Sequence, residues 1–131
     1  MEAMKILTAD KVRTELRDLL RVESQSMPLA KVRDDFYSRY QGIVSDLRRE
    51  CDEMLANNDI RQYVLLKEQL TNAEMDFRAF FERRFGKIAS MSPYTLSQEM
   101  LMRMTQEEKA AYTEYRSVSE KYSRMLTEGK I

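Results

Sequence analysis

Histidine and tryptophan are missing from this chain; cysteine occurs once, proline twice and glycine three times in 131 residues. Without histidine there is no imidazole ligand for zinc, no histidine-based triad and no side chain that ordinarily titrates near neutrality. A lone Cys51 excludes an intramolecular disulfide and a multi-cysteine metal site. Scarce glycine and proline exclude a loop-rich fold and argue against a sandwich or barrel, which needs a turn about every ten residues. Met1 to Thr8 lacks the apolar stretch of a secretion signal, and no run approaches the roughly 20 apolar residues of a membrane span. An excess of one charge is absent too, because 22 basic and 22 acidic residues cancel. That balance, which holds in each half, removes bulk attraction as a basis for nucleic-acid binding. One cytoplasmic domain of residues 1–131 is expected, with no membrane association.

What is present is a helical apolar period throughout, so the expected fold is all-α: a bundle of four main helices over about 9–23, 34–56, 59–91 and 105–127, plus a short connector near 95–103. Thr8 is a plausible N-cap for the first, whose stripe is Val12, Leu16, Leu19 and Leu20. Ser24 to Pro28 reads as the following loop. The second stripe runs Phe36, Tyr40, Ile43, Val44, Leu47, Cys51, Met54 and Leu55, and Ala56-Asn57-Asn58-Asp59 breaks it. The third carries Leu66, Leu70, Ala73, Phe77, Phe80, Phe81 and Ile88, and Ser92-Pro93 stops it. At 1.5 Å per residue it spans about 50 Å, longer than a domain of this size is wide. Thr105-Gln106-Glu107-Glu108 opens the last helix as a capping box, its stripe is Ala111, Tyr112, Tyr115, Val118, Tyr122, Met125 and Leu126, and Gly129 is the C-terminal candidate.

Most enzyme chemistries lack their parts. A di-iron bundle needs Glu-x-x-His pairs, and glycine-rich phosphate loops, the G-x-S-x-G elbow and the Walker sequence are missing. Cys51 lies inside an apolar stripe, where it reads as a small buried hydrophobe rather than a nucleophile. No catalytic residue, metal site or cofactor is expected. A helical enzyme using only Arg, Lys and Glu, like a chorismate-mutase-type dimer, is the alternative that composition leaves open. A small nucleic-acid accessory domain is another, resting on the cluster Arg78, Arg83, Arg84 and Lys87. Cations in the last turns of a helix also complement its dipole, and Asp76 and Glu82 interleave with these.

Arg84 stands apart, because it falls at the centre of the apolar stripe, where a charge is costly unless paired. In an antiparallel hairpin turning at Asn57 and Asn58, position 84 lies opposite the start of the second helix. The expected partner is therefore Asp34 or Asp35, forming a structural ion pair. Phe36, Tyr40, Phe77, Phe80, Phe81 and Tyr115 are expected core. Val64 and Met75 lie on the opposite face of the third helix, and Leu65 and Phe85 flank its stripe. With Tyr112 these are the candidate subunit contacts.

Several segments together resemble the archaeal GINS subunits. Val32-Arg33-Asp34-Asp35-Phe36-Tyr37 is similar to the family's "L-P-x-D-F-Y" helix start, with Arg33 in place of proline. Phe81-Glu82-Arg83-Arg84-Phe85-Gly86-Lys87-Ile88 resembles its "E-R-R-x-x-K-I". Met104-Thr105-Gln106-Glu107-Glu108-Lys109 matches its "L-T/P-x-E-E", and Thr8 to Leu20 its "L-R-x-L-L" first helix. The resemblance implies a helical A domain, here without the small β-rich B domain. It implies a non-enzymatic scaffold in DNA replication that packs with other GINS subunits as a homo- or hetero-oligomer. The assembly would link the MCM helicase to a Cdc45-type or RecJ-like partner, touching DNA weakly or indirectly. Location at the nucleoid would follow from those partners, or in the nucleus of a eukaryotic source.

Overall fold

The computed structural model describes the backbone of residues 2–25 and 29–129, and the side chains of residues 14–25 and 29–129. The described chain is all helical: α1 (Glu2–Gln25), α2 (Phe36–Ala56), α3 (Ile60–Met91), the one-turn α4 (Gln98–Leu101) and α5 (Gln106–Glu128). The expected order and type of every element hold. α1 is the exception in length, since it runs through Thr8 from Glu2. The expected cap at Thr8, the Val12 side chain and residues 26–28 of the first loop lie outside the described side chains.

The α2–α3 turn shows how local chemistry sets a boundary. Asn58 adopts a left-handed φ of 58°, a conformation asparagine tolerates better than most residues. The Asn58 and Asp59 amides then donate to Leu55 O and Met54 O at 3.2 and 2.9 Å, satisfying the last carbonyls of α2 as a Schellman motif. Asp59 caps α3 by accepting from the Gln62 amide. The chain reverses within three residues, so α2 and α3 run antiparallel.

α3 is the axis of the fold. Its 32 residues form one uninterrupted helix, and α1, α2 and the start of α5 pack around it. Arg17 meets Asp76 and Glu23 meets Lys87, so α1 runs in the same direction as α3. On the other flank, Leu47, Cys51 and Met54 of α2 close over Leu66 and Leu70. In the middle, Phe36 and Tyr37 join Leu16, Ala73 and Phe80. At the far end, Leu29, Ile88, Met104 and Tyr112 gather the connector residues Leu96, Met100 and Leu101. The three clusters lie in sequence along the rod.

Several expected core and surface assignments change. Phe80 is fully buried, but Phe81 is 42% exposed and Tyr115 is 38% exposed. Phe81 sits at the edge of the α3 stripe, whereas Tyr115 lies mid-stripe on α5, one turn beyond the buried Tyr112, where that row turns outward. Tyr112, expected at a subunit contact, is buried and donates its hydroxyl to the Tyr94 carbonyl.

Candidate functional site

Among the described residues three charged side chains are completely buried, and they form one linked cluster. Arg84 from α3, Glu23 from the last turns of α1 and Glu108 from the first turn of α5 are each 0% exposed. Arg84 Nε donates to Glu108 Oε2 at 2.7 Å, and one terminal nitrogen donates to Glu108 Oε1 at 3.0 Å. The same nitrogen donates to the Arg103 carbonyl. The other terminal nitrogen reaches Glu23 Oε2 at 3.0 Å and the Ala30 carbonyl. All five guanidinium donors are thereby engaged.

The carboxylates are equally occupied. Glu108 Oε1 also accepts the Thr105 amide at 2.9 Å, while Thr105 Oγ1 accepts the Glu108 amide, completing the capping box. Glu108 Oε2 accepts the Tyr37 hydroxyl at 2.7 Å. Glu23 Oε2 accepts the Ala30 amide at 3.2 Å, and Glu23 Oε1 accepts from Lys87 Nζ at 3.0 Å. Lys87 also donates to the Glu23 carbonyl. Two anions balance two cations, of which Lys87 reaches in from the surface, and their hydrogen bonds tie α1, the 29–32 segment, α2, α3 and α5 together.

Electrostatics follows this geometry. Burial alone disfavours the charged guanidinium, but the hydrogen bonds and charges of Glu108 and Glu23 outweigh it and raise the Arg84 pKa further. Burial, then the adjacent Glu108 charge and the hydrogen bond to it, push the Tyr37 phenol far above its ordinary range. Tyr40 is pushed up to about 12, mainly by burial and then by Glu74. Burial raises the Cys51 thiol as well, so it is held as thiol within the α2 core.

Arg84 is the structural ion-pair residue that its place in the stripe demanded, but Asp34 and Asp35 are not its partners. Asp35 instead binds Arg33, at 3.1 and 3.0 Å on the surface, and Asp34 is exposed. Position 84 does lie near the start of α2, where Tyr37 touches Glu108. α1 and α5 converge on the same point and supply the partners. A signal for the true partners exists in the sequence: Glu23 follows Leu16 and Leu20 at helical spacing, and Glu108 precedes Ala111, Tyr112 and Tyr115 likewise. Each is an anion on an apolar stripe, matching the cation on the third.

The candidate contact residues do not form one face. Val64 and Met75 are 54% and 65% exposed, yet eleven residues apart on α3, about 16 Å, with Glu68 and Thr71 on the surface between them. Leu65 is exposed elsewhere on the helix. Phe85 is half-buried and stacks on Phe81 at a centroid distance of 4.4 Å, at the end of an aromatic row continuing through Phe77 to Tyr40. The apolar surface that does run continuously lies on α5, through Tyr115, Val118, Tyr122 and Leu126.

The cation cluster at the end of α3 divides. Arg78 and Arg83 are exposed, whereas Arg84 and Lys87 turn inward to Glu23, so the four do not share a basic stripe. A cleft of about 630 Å³, open to solvent, is lined by Val22, Leu29, Lys31, Glu99, Met102 and Arg103. Arg103 there is committed to Glu99 and to the Leu29 carbonyl. No helix among the described residues is long and apolar enough to cross a membrane. No protein-family model matches the chain, and no curated protein matches its sequence.

Proposed function

We propose that this chain is a non-enzymatic assembly subunit of the GINS type, acting in the cytoplasm, or in the nucleus of a eukaryotic source. In this reading it joins other GINS subunits and helps connect the MCM helicase to a Cdc45-type or RecJ-like partner at the replication fork, with DNA contacted weakly or indirectly. One observation carries the reading. Two of the segments that resemble the family, 81–88 and 104–109, meet through the Arg84–Glu108 pair. Their resemblance therefore belongs to a single physical unit, the lock that fixes α5 to α3. That lock saturates its own donors and acceptors, which suits a structural role. Apolar surface is concentrated instead on exposed helix faces, where affinity for another chain is gained. A chorismate-mutase-type enzyme needs convergent cations free to hold an anionic substrate, and Arg84 and Lys87 are already engaged. A nucleic-acid accessory domain needs the shared basic stripe that Arg84 and Lys87 leave.

Light scattering of the chain, alone and mixed with a B-domain-bearing GINS subunit and MCM from the same cell, tests the proposal. A defined higher-mass complex with that subunit is expected. A chain that stays monomeric with both overturns it.

A further inference from the structure

The last helix changes environment along one side-chain row. Glu108, Ala111, Tyr115, Val118, Tyr122 and Met125 alternate spacings of three and four, the 3.5-residue period of a coiled-coil seam. Glu108 lies in the interior of the chain. Tyr112, beside the row, is also buried, and Arg116 still touches the body through Thr95 at 3.0 Å. Beyond that point the row emerges: Val118, Tyr122 and the adjoining Leu126 are 56%, 50% and 82% exposed. With Tyr115, 38% exposed, they leave the outer half of α5 with an open apolar surface.

The flanks of the row state what would suit it. On the open side Glu114, Lys121 and Glu128 stand seven residues apart, a negative–positive–negative series. The other side carries Ser119, Ser123 and Arg116, the last paired with Glu120 at 3.1 Å. Consider a second copy laid antiparallel so that the exposed rows coincide. Tyr115 then meets Met125 and Val118 meets Tyr122, but Lys121 faces Lys121 and Glu114 faces Glu128 across the seam. Sliding one heptad inward pairs Glu114 with Lys121, but lays the second helix over Glu108 and Tyr112, whose side chains are already covered by their own chain. Sliding one heptad outward pairs Lys121 with Glu128 but leaves Tyr115 uncovered. The charges thus disfavour this self-pairing where the apolar overlap is greatest, the usual way helices reject a wrong partner.

We infer that the C-terminal half of α5 is a docking face for an amphipathic helix of a different protein chain, whose flank presents a base, an acid and a base at seven-residue spacing to Glu114, Lys121 and Glu128. That series reads the same in either direction, so it fits a parallel or an antiparallel partner. The inference deepens the assembly reading by naming one contact face and its chemistry.

The test uses the full chain and two labelled three-heptad peptides with identical leucine and isoleucine seams. One carries Lys-Glu-Lys on the flank facing the open side of α5, the other Glu-Lys-Glu. Fluorescence anisotropy should show the first binding at least about tenfold tighter at low salt, with the gap narrowing as salt rises. Val118→Asp should abolish binding while circular dichroism and the melting midpoint stay unchanged. Lys121→Glu, an exposed reversal independent of seam packing, should weaken the first peptide and favour one carrying Lys-Lys-Lys. Equal affinity for both original peptides, no binding of either, or full binding to the Val118→Asp chain overturns the inference. So does a dimer of the chain alone, or adsorption to anionic vesicles, that Val118→Asp dissolves. If Val118→Asp still assembles fully with a GINS subunit, the docking face is refuted and the assembly reading stands; failure of the unaltered chain to assemble refutes that reading whatever the peptides do.

Discussion

The Glu108 carboxylate serves two structures at once: Oε2 accepts Arg84 Nε at 2.7 Å, and Oε1 accepts the Thr105 amide at 2.9 Å. One side chain therefore starts α5 and fastens it to α3. A lysine at position 84 lacks the planar fork needed to reach Glu108, Glu23 and two carbonyls together. Arg84→Met should destabilise the chain by about 3–5 kcal/mol, since it leaves the buried Glu108 carboxylate without its cation and Glu23 with Lys87 alone. Arg84→Lys should recover little of that. Adding Glu23→Gln and Glu108→Gln to Arg84→Met should restore part of the loss. Urea unfolding of the series measures each step, and an Arg84→Met midpoint close to that of the unaltered chain would show that the lock contributes nothing.

Thr105→Ala removes only the cap hydroxyl and should cost about 0.5–2 kcal/mol. Its effect should be local. Amide exchange is expected to quicken at the first turn of α5 while the amides of Leu66 and Leu70, far along α3, stay protected.

Tyr37 and Tyr40 predict weakness toward alkali. Their folded pKa values lie above the unfolded value near 10, so the folded chain holds these protons more tightly than the unfolded one. That stability is complete below pH 10 and is lost as pH rises above it, through about 12 for Tyr40 and beyond for Tyr37. Tyr37 alone gives a slope of at most about 1.4 kcal/mol per pH unit. Tyr37→Phe should lower stability at neutral pH by about 1–2 kcal/mol, the cost of leaving a Glu108 lone pair unmet. It should also flatten the decline between pH 10 and 12 in thermal melts. An unchanged alkaline limb in Tyr37→Phe contradicts this account.

Gly42 and Gly86 lie within α2 and α3, and a Cβ added at either meets nothing within 4 Å. Neither helix needs the glycine for space. Each change to alanine should raise stability by about 1 kcal/mol, because alanine restricts the unfolded backbone and favours the helix. Calorimetry of the two single variants and the pair should give nearly additive rises in melting temperature.

Phe80 and Met75 separate core from surface on one helix. Phe80→Ala should cost about 3–5 kcal/mol through the cavity it leaves beside Phe36 and Ala73. Met75→Asp should stay within about 0.5 kcal/mol, since Met75 is 65% exposed. Chemical denaturation of both proteins distinguishes them.

The sequence alone determined which segments are helices, because that information is local. Asn57-Asn58-Asp59 ended one helix and capped the next, Thr105 and Glu108 wrote a capping box, and Ser92-Pro93 closed α3. It also required Arg84 to be paired, since a cation on an apolar stripe has no other stable arrangement. Only tertiary structure decided who pairs with it. Periodicity gives a residue's angle around its own helix but not which helices converge there. Glu23 and Glu108 therefore took the place expected of Asp34 and Asp35 once α1 and α5 closed on the end of α3. The same limit explains Phe81, Tyr112 and Tyr115. All three sit on apolar stripes, yet burial depends on where a neighbouring helix stops, and that is set by packing along the rod rather than by the stripe itself.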